Sequence, residues 1–565
     1  MPSVLDQRMN DGLAKLLVEG SPLALVKVPT RFGVEVPMFS GVPQTLPAYF
    51  AHYAAEHAAA EFVVAGEERL TMAEVQAAAQ RAAGALVAAG VRRGDRVGIA
   101  MRNAPAWIVS YMAILMAGGV ATLLNGWWQS AELATAVRDT EVSLVIADPA
   151  RAARLREGGA HGAEVLVLDE TLPIEEAMAP LLARGGGGEA ALPLVEPDDL
   201  ATILFTSGST GQSKGAFSDH RAITQAVFNY LAQALVILGI STEDGKPPAG
   251  QPSTLLTVPL FHVTAEIPTF LQSFAMGRKL VLMRKWDAEE AMRLIEREKI
   301  SYFVGVPLMS YEILAHPRRS QYDLSSVTDF AAGGAPRPVE HVKRINDEMG
   351  GAAPLIGYGL TETNAVGTGN WRSNYLAKPN SAGRPSLPLV DLVILDDAGR
   401  PVPAGQRGEV AIRSICNFRG YWNREDATAE AFTKDGYFLT GDIGTLDEDG
   451  YLFIVDRKKD IIIRGGENIS CQEVEDAIYQ HPAVAETAVF GLAEPRFGEV
   501  PAAVVHYRDG QKVSAEALQA FLAERIAAFK VPTRIWTVDE PLPRLGTEKI
   551  DKVSIRKRYR DLSAG

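Results

Sequence analysis

Residues 206–215 read TSGSTGQSKG, a run of glycines and hydroxyls with a single lysine. Such a run can cradle an anion: glycines let successive backbone N–H groups turn toward one point, and hydroxyls and an ammonium add donors. A phosphate loop of the Walker type needs G-x-x-x-x-G-K-[ST]. From Gly208 the chain reads GSTGQSKG, so the second glycine comes too early and Lys214 is followed by glycine rather than by the hydroxyl that would bind magnesium. A Walker site is excluded, which leaves another kind of polyphosphate loop or a plain Gly/Ser turn. Cys416 and Cys471 are the only cysteines, so neither a cysteine-based metal site nor a disulfide framework is available.

The elements around this loop read as layers of helix and strand. DRVGIAM (95–101) is an apolar strand run, and APAWIVSYMAILMAGGVATLL (104–124) follows without a charge. That second stretch is nearly long enough to span a bilayer. Pro105 at its start and Gly118-Gly119 within it favour a buried helix, a turn and a strand, so no transmembrane span is expected. The β-α-β order implies a parallel sheet covered on both faces. Further strand runs follow at VSLVIAD (142–148), AEVLVLD (163–169) and LATILFT (200–206), the last running straight into the loop. Beyond it come STLLTVPL, KLVLM, SYFVGVPL and PLIGYGL, separated by helical patterns such as DAEEAMRLIEREK. After about residue 385 strands are joined by short turns, and the last ~100 residues alternate helix and strand as a small α+β domain would.

With 565 residues the chain can hold several core-forming units. Its net charge of −13 disfavours nucleic acid as partner. The N-terminus mixes both charges without the apolar run of a signal peptide, so a cytoplasmic location is expected.

The loop is not alone. VPLFHVTA (258–265), GGAP (333–336), GYGLTET (357–363), GYFLTGDIG (436–444), DRKKDIIIRGGENIS (456–470) and PLPRLGTEKIDK (541–552) follow in order. Together with TSGSTGQSKG they resemble the core motifs of the adenylate-forming superfamily of acyl-CoA synthetases, luciferases and peptide-synthetase adenylation domains, across most of residues 200–552. The resemblance implies an α/β fold. A large N-terminal domain, residues 1–458, would be built of layered α/β subdomains with a small β-rich subdomain at about 385–458. A small mobile C-terminal α+β domain would span 459–565.

By that resemblance, Thr206, Ser207, Gly208, Ser209, Thr210, Gly211 and Lys214 close over the β- and γ-phosphates of ATP. Gly357, Tyr358 and Gly359 would bring an aromatic face to adenine, with Gly334, Ala335 and Pro336 as the opposite wall. Thr361 would donate to the α-phosphate, and Glu362 would bind Mg2+, a hard cation that wants a carboxylate. Asp442 would clamp the ribose hydroxyls with help from Arg457, and His262 would gate the acyl pocket. Lys549 would sit against the substrate carboxylate and the α-phosphate, where an ammonium offsets the repulsion between two anions. Glu548 occupies the family's usual glycine position next to it. The hinge implied is Lys459, with Gly465, Gly466 and Glu467 lining a thiol tunnel. Lys458, Arg464, Arg496 and Lys530 are the candidates for the CoA phosphates.

A peptide-synthetase adenylation domain holds its substrate amine with an aspartate where this chain has His262, so an amino acid is not the expected substrate. Phe261, Val263, Thr264, Val304, Val306, Met309, Gly333 and Val366 make a mostly apolar candidate pocket. Glu266 is expected to face solvent on a helix, the alternative being a polar acyl substituent. The resemblance thus implies an AMP-forming acyl-CoA ligase using ATP, Mg2+ and CoA on a hydrophobic carboxylic acid. A medium- to long-chain fatty acid leads, with an aryl or alicyclic acid as alternative. A non-catalytic adenylate-binding protein would lack Glu362 or Lys549, and both are present. The oligomeric state stays open, a homodimer included.

Overall fold

The computed structural model describes residues 3–186, 190–206, 213–334, 337–349, 351–458, 460–464, 467–508, 510–545 and 549–564. Ser207, Gly208, Ser209, Thr210, Gly211, Ala335, Pro336, Lys459, Gly465 and Gly466 lie outside these residues, and Glu467 is described by its backbone alone. The chain divides into two compact units. The first comprises Met1–Ser207, Ser213–Leu392 and Ile412–Phe438; the second is chiefly Val393–Ala411 and Leu439–Gly565.

The first unit is the layered α/β body. The uncharged stretch resolves as expected: helix Pro105–Met116, every residue buried, then Gly118 at φ 75°, then strand Val120–Leu123. Proline at the helix start costs no hydrogen bond, because the first N–H groups have no intrahelical partner. Val120–Leu123 pairs in parallel with Arg96–Ala100, which pairs in parallel with Leu144–Ala147. They belong to a seven-stranded sheet that Gly215–Asp219 and Gly420–Tyr421 extend as antiparallel strands at one edge. Helix His220–Glu243 is the one described helix long and apolar enough to cross a membrane, and 67% of its most apolar window is buried within the fold.

A second, nine-stranded sheet has a parallel centre of Ala353–Tyr358, Asp329–Gly333, Tyr302–Gly305, Ser253–Leu256, Lys279–Leu282 and Glu61–Ala65, in that spatial order. Parallel strands buried on both faces read as continuous apolar runs, which is what STLL, KLVL and YFVG are. The motifs GGAP, GYGLTET and PLFHVTA all leave the carboxyl ends of these strands, where open α/β sheets bind ligands.

The second unit contains a four-stranded sheet, with Phe438–Leu446 antiparallel to Leu452–Arg457, and a five-stranded sheet built on the long pair Val484–Glu494 and Gly498–Tyr507. Helices Cys471–Tyr479 and Ala515–Ala523 cover the larger sheet through a core that includes Val474, Ile478, Val505 and Leu522. Ser470 starts the first of these helices by accepting the N–H of Glu473.

Candidate active site

Strands Leu200–Phe205 and Gly215–Asp219 are antiparallel neighbours, and the Thr206 N–H donates to the Lys214 carbonyl at 3.0 Å. Thr206 and Lys214 therefore bracket the loop as the two ends of a hairpin. The Lys214 ammonium lies 4.7 Å from the centre of the Tyr421 ring. The Tyr421 hydroxyl donates to Glu362 Oε1 at 2.8 Å. Tyr421 was not among the residues singled out from sequence, and its signal is faint: an aromatic after a glycine in RGYW, 59 residues beyond Glu362.

Glu362 sits in the 3-10 turn Thr361–Thr363, 9% exposed, and its carbonyl accepts the Phe418 N–H at 2.8 Å. The turn reverses through Asn364 and Ala365, both with positive φ. Ala365 explains Gly359: a Cβ there would lie 1.9 Å from the Ala365 carbonyl oxygen, so only glycine fits. Gly357 and Gly333 are register partners on adjacent parallel strands, and Tyr358 and Gly334 follow them at the same strand ends. Burial, and next the Glu362 carboxylate, hold the Tyr421 phenol far above its ordinary pKa, so it remains a donor.

On the acyl side, His262 starts the segment after PLF, and its Nδ1 accepts the Thr264 N–H at 3.4 Å. The Thr264 methyl comes within 3.8 Å of where a Gly333 side chain would begin. Thr264, Gly333 and Gly357 are thus brought together. Val306 and Met309 pack instead into a core cluster with Phe303, Ile313 and Phe330, and Val304 packs with Ala331 and Leu355.

Glu266 overturns the expectation of a solvent-facing residue. It is 0% exposed at the start of a π-helical turn, Glu266–Leu271. Such turns shift the register of side chains relative to the α-helical 3.6 period and are frequent at functional sites. Tyr111 donates to Glu266 Oε1 at 2.7 Å, while Glu266 Oε2 and Trp107 Nε1 have no partner among the described residues. The rings of Trp107 and Tyr111 both pack against Phe270 of the same turn. Burial raises the Glu266 carboxyl to about 7, with the Tyr111 hydrogen bond opposing.

In the second unit, Asp442 and Arg457 are cross-strand partners, with Arg457 Nε 3.2 Å from Asp442 Oδ1. Lys549 shares their field: burial and then the Arg457 charge lower its ammonium to about 8, with Asp442 opposing. Of the basic residues considered for CoA, Lys458 pairs with Glu409 at 2.9 Å and Lys530 with Glu473 at 2.5 Å. Arg464 and Arg496 both lie over the Phe497 ring, at 4.4 and 5.0 Å.

Comparison with known proteins fits this geometry. The AMP-binding enzyme family matches residues 50–422, and its C-terminal domain matches residues 473–549. A feruloyl-CoA synthase of an Amycolatopsis species is 36% identical over 500 residues, covering 87% of this chain and 95% of that protein. A long-chain-fatty-acid–CoA ligase of Bacillus subtilis is 31% identical over 515 residues, covering 86% and 89%. The crystal structure of ATP-bound MatB from Rhodopseudomonas palustris superposes with a TM-score of 0.80 at 28% identity, covering 91% of this chain and 99% of that one. The strands, the bracketed loop and these matches lead to one conclusion: the chain belongs to the AMP-binding, adenylate-forming family and is an AMP-forming acyl-CoA ligase that uses ATP and CoA.

Proposed function

We propose that the acid is an aryl or alicyclic carboxylic acid whose compact hydrophobic body carries a hydrogen-bonding oxygen at the end remote from the carboxylate. The observation that supports this most is Glu266. A buried polar atom without a partner costs about 1–3 kcal/mol, and here the second Glu266 carboxyl oxygen and the Trp107 indole N–H are both unspent. A substrate hydroxyl could satisfy either, donating to the carboxyl oxygen or accepting from the indole N–H. The segment that carries Glu266 also carries Thr264, which faces Gly333. The feruloyl-CoA synthase relative supports the same reading, since a feruloyl group carries a hydroxyl and a methoxy at its far end. A plain fatty acid is the second reading, favoured by the apolar pocket candidates Phe261, Val263 and Val366 and by the Bacillus subtilis relative.

The chemistry runs in two stages. A carboxylate oxygen attacks the α-phosphorus of ATP, the bond to the β-phosphate oxygen breaks, and pyrophosphate leaves. The CoA sulfur then attacks the acyl carbon, AMP leaves with the bridging oxygen, and the thiol proton passes to solvent. In the first stage Lys549 offsets the meeting of two anions. Thr206, Lys214 and Thr361 supply donors to the phosphates, Tyr358 faces adenine, and Asp442 with Arg457 holds the ribose. Mg2+, when bound, would supply charge neutralisation. Glu362 fits as its protein ligand: it offers an oriented hard oxygen, and among the described residues no group of three or more His, Cys, Asp or Glu forms a dedicated metal cage. A cation held mostly by nucleotide phosphates and one carboxylate is the ordinary arrangement for magnesium. Arg464 and Arg496, converging on Phe497, are the better candidates for the CoA phosphates, because Lys458 and Lys530 are already paired.

The test is AMP and acyl-CoA formation with 4-hydroxy-3-methoxycinnamate, cinnamate and octanoate, for the wild type and Glu266→Leu. The proposal expects the oxygenated acid to have the highest kcat/KM, and Glu266→Leu to cut its advantage over cinnamate by about tenfold or more. Octanoate as best substrate, or an unchanged preference in the variant, contradicts it.

A further inference from the structure

Residues 418–422 run as a strap across two ATP-handling groups of the first unit. The Arg419 N–H donates to the Phe217 carbonyl and the Trp422 N–H to the Gly215 carbonyl, each at 2.8 Å, which binds the strap to the strand leaving the phosphate loop. The Phe418 N–H donates to the Glu362 carbonyl at 2.8 Å, which binds it to the acidic turn as well. Tyr421 makes both connections again with one side chain. Its hydroxyl reaches Glu362 Oε1 at 2.8 Å, and its ring seats the Lys214 ammonium at 4.7 Å.

Packing alone does not ask for a tyrosine here. The ring is surrounded by Ala216, Phe418, Ala427 and Phe438, with Phe418 edge-on at 4.9 Å, and phenylalanine would fill that space equally well. What the hydroxyl adds is a bond to a carboxylate. A carboxylate that accepts a phenol on one oxygen cannot turn about its last torsion without losing that bond, so its other oxygen keeps a fixed direction. The ring face adds an electrostatic resting place for an ammonium.

We propose that Tyr421 is a positioning residue for adenylation: its hydroxyl fixes the Glu362 carboxylate toward the metal of MgATP, and its ring seats Lys214 for the polyphosphate. This rests on the reading of Glu362 and Lys214 given above. Tyr421 touches neither nucleotide nor acid; it acts through the two residues that do.

The experiment measures ATP binding to the full chain by calorimetry, without acid, in the presence of Mg2+ and in EDTA. It compares the wild type, Tyr421→Phe, Tyr421→Leu, Glu362→Gln and the double variant Tyr421→Phe/Glu362→Gln. Tyr421→Phe keeps the ring and is expected to lower the affinity gained from Mg2+ by about tenfold, while the EDTA value moves less than about twofold. Added to Glu362→Gln it costs nothing further, because the two act as one unit. Tyr421→Leu, which removes the ring, is expected to weaken binding in EDTA by a further ~2–5-fold. Melting curves show which variants are folded, and Tyr421→Phe carries the test if Tyr421→Leu is not. A Tyr421→Phe variant with unchanged Mg2+ dependence, or with losses that add to those of Glu362→Gln, overturns the coupling alone. If Glu362→Gln keeps the full Mg2+ dependence, the metal reading of Glu362 falls, and the coupling with it. Equal EDTA affinities for folded Tyr421→Leu and Tyr421→Phe remove the role of the ring.

Discussion

Two buried glutamates of the first unit are each held by a tyrosine, one in the GYGLTET motif and one just after PLFHVTA. Tyr421 donates to Glu362 at 2.8 Å and Tyr111 donates to Glu266 at 2.7 Å. The pairs are nearly identical, and their surroundings are not. Glu362 keeps 9% exposure in a 3-10 turn, and a lysine lies on the far partner of its pair. Glu266 has no exposure, and only burial and its phenol act on its proton affinity. One phenol bond in low dielectric does not balance the cost of a buried charge, so the carboxyl holds its proton up to about pH 7. The same two residue types thus fit two proposed roles, a metal ligand at Glu362 and, below about pH 7, a neutral hydrogen-bonding carboxyl at Glu266.

The largest expected effect belongs to Lys549. Lys549→Ala should lower acid-dependent pyrophosphate release by about 100-fold or more, while thioester formation from supplied acyl-AMP is spared. The lysine must be charged for this task, and burial beside Arg457 places its proton loss near pH 8. Pyrophosphate release by the wild type should therefore fall as pH rises through about 8. A flat profile from pH 7 to 9.5, measured by pyrophosphate detection, would separate the charge of Lys549 from the rate.

The acyl side should show a smaller effect, on stability rather than rate. In the folded chain Glu266 releases its proton near pH 7, against about 4.5 in an unfolded chain. Between those values the folded state binds more protons, so stability falls as pH rises through that window and levels off above it. At ~1.4 kcal/mol per pH unit of displacement the loss is about 3 kcal/mol. Denaturant titrations at pH 5 and pH 8 check this: the difference between the wild type and Glu266→Gln should grow in favour of Gln by that order. Parallel behaviour at both pH values would mean that Glu266 is ionised in both states.

Much of this was legible beforehand where signals are local. The charge-free stretch became a helix, a turn and a strand because Pro105 and Gly118 punctuate it, and the strand expected to run into TSGSTGQSKG is Leu200–Phe205. The acyl-CoA ligase activity followed from ordered motifs. What escaped depends on contacts far apart in sequence or on broken periodicity. Glu266 reads as a solvent-facing helix position only if the helix keeps its 3.6 period. Here a π-helical turn begins at that residue, and its partner Tyr111 lies 155 positions away. Tyr421 escaped because neither Glu362 nor Lys214 is near it in the chain, and only the edge strand Gly420–Tyr421, paired with Ala216–Phe217, brings it to both.

The measurement that tests the central contrast most directly is a single substitution made twice. Glu266→Gln and Glu362→Gln are assayed side by side for pyrophosphate release at pH 6.5, with saturating acid and MgATP. A neutral carboxyl and an amide are nearly alike in shape and hydrogen bonding, so Glu266→Gln should keep activity within about threefold, whereas loss of the carboxylate proposed to hold the metal should cost Glu362→Gln about 100-fold or more. Comparable losses at the two positions, or a larger loss at Glu266, would contradict the account.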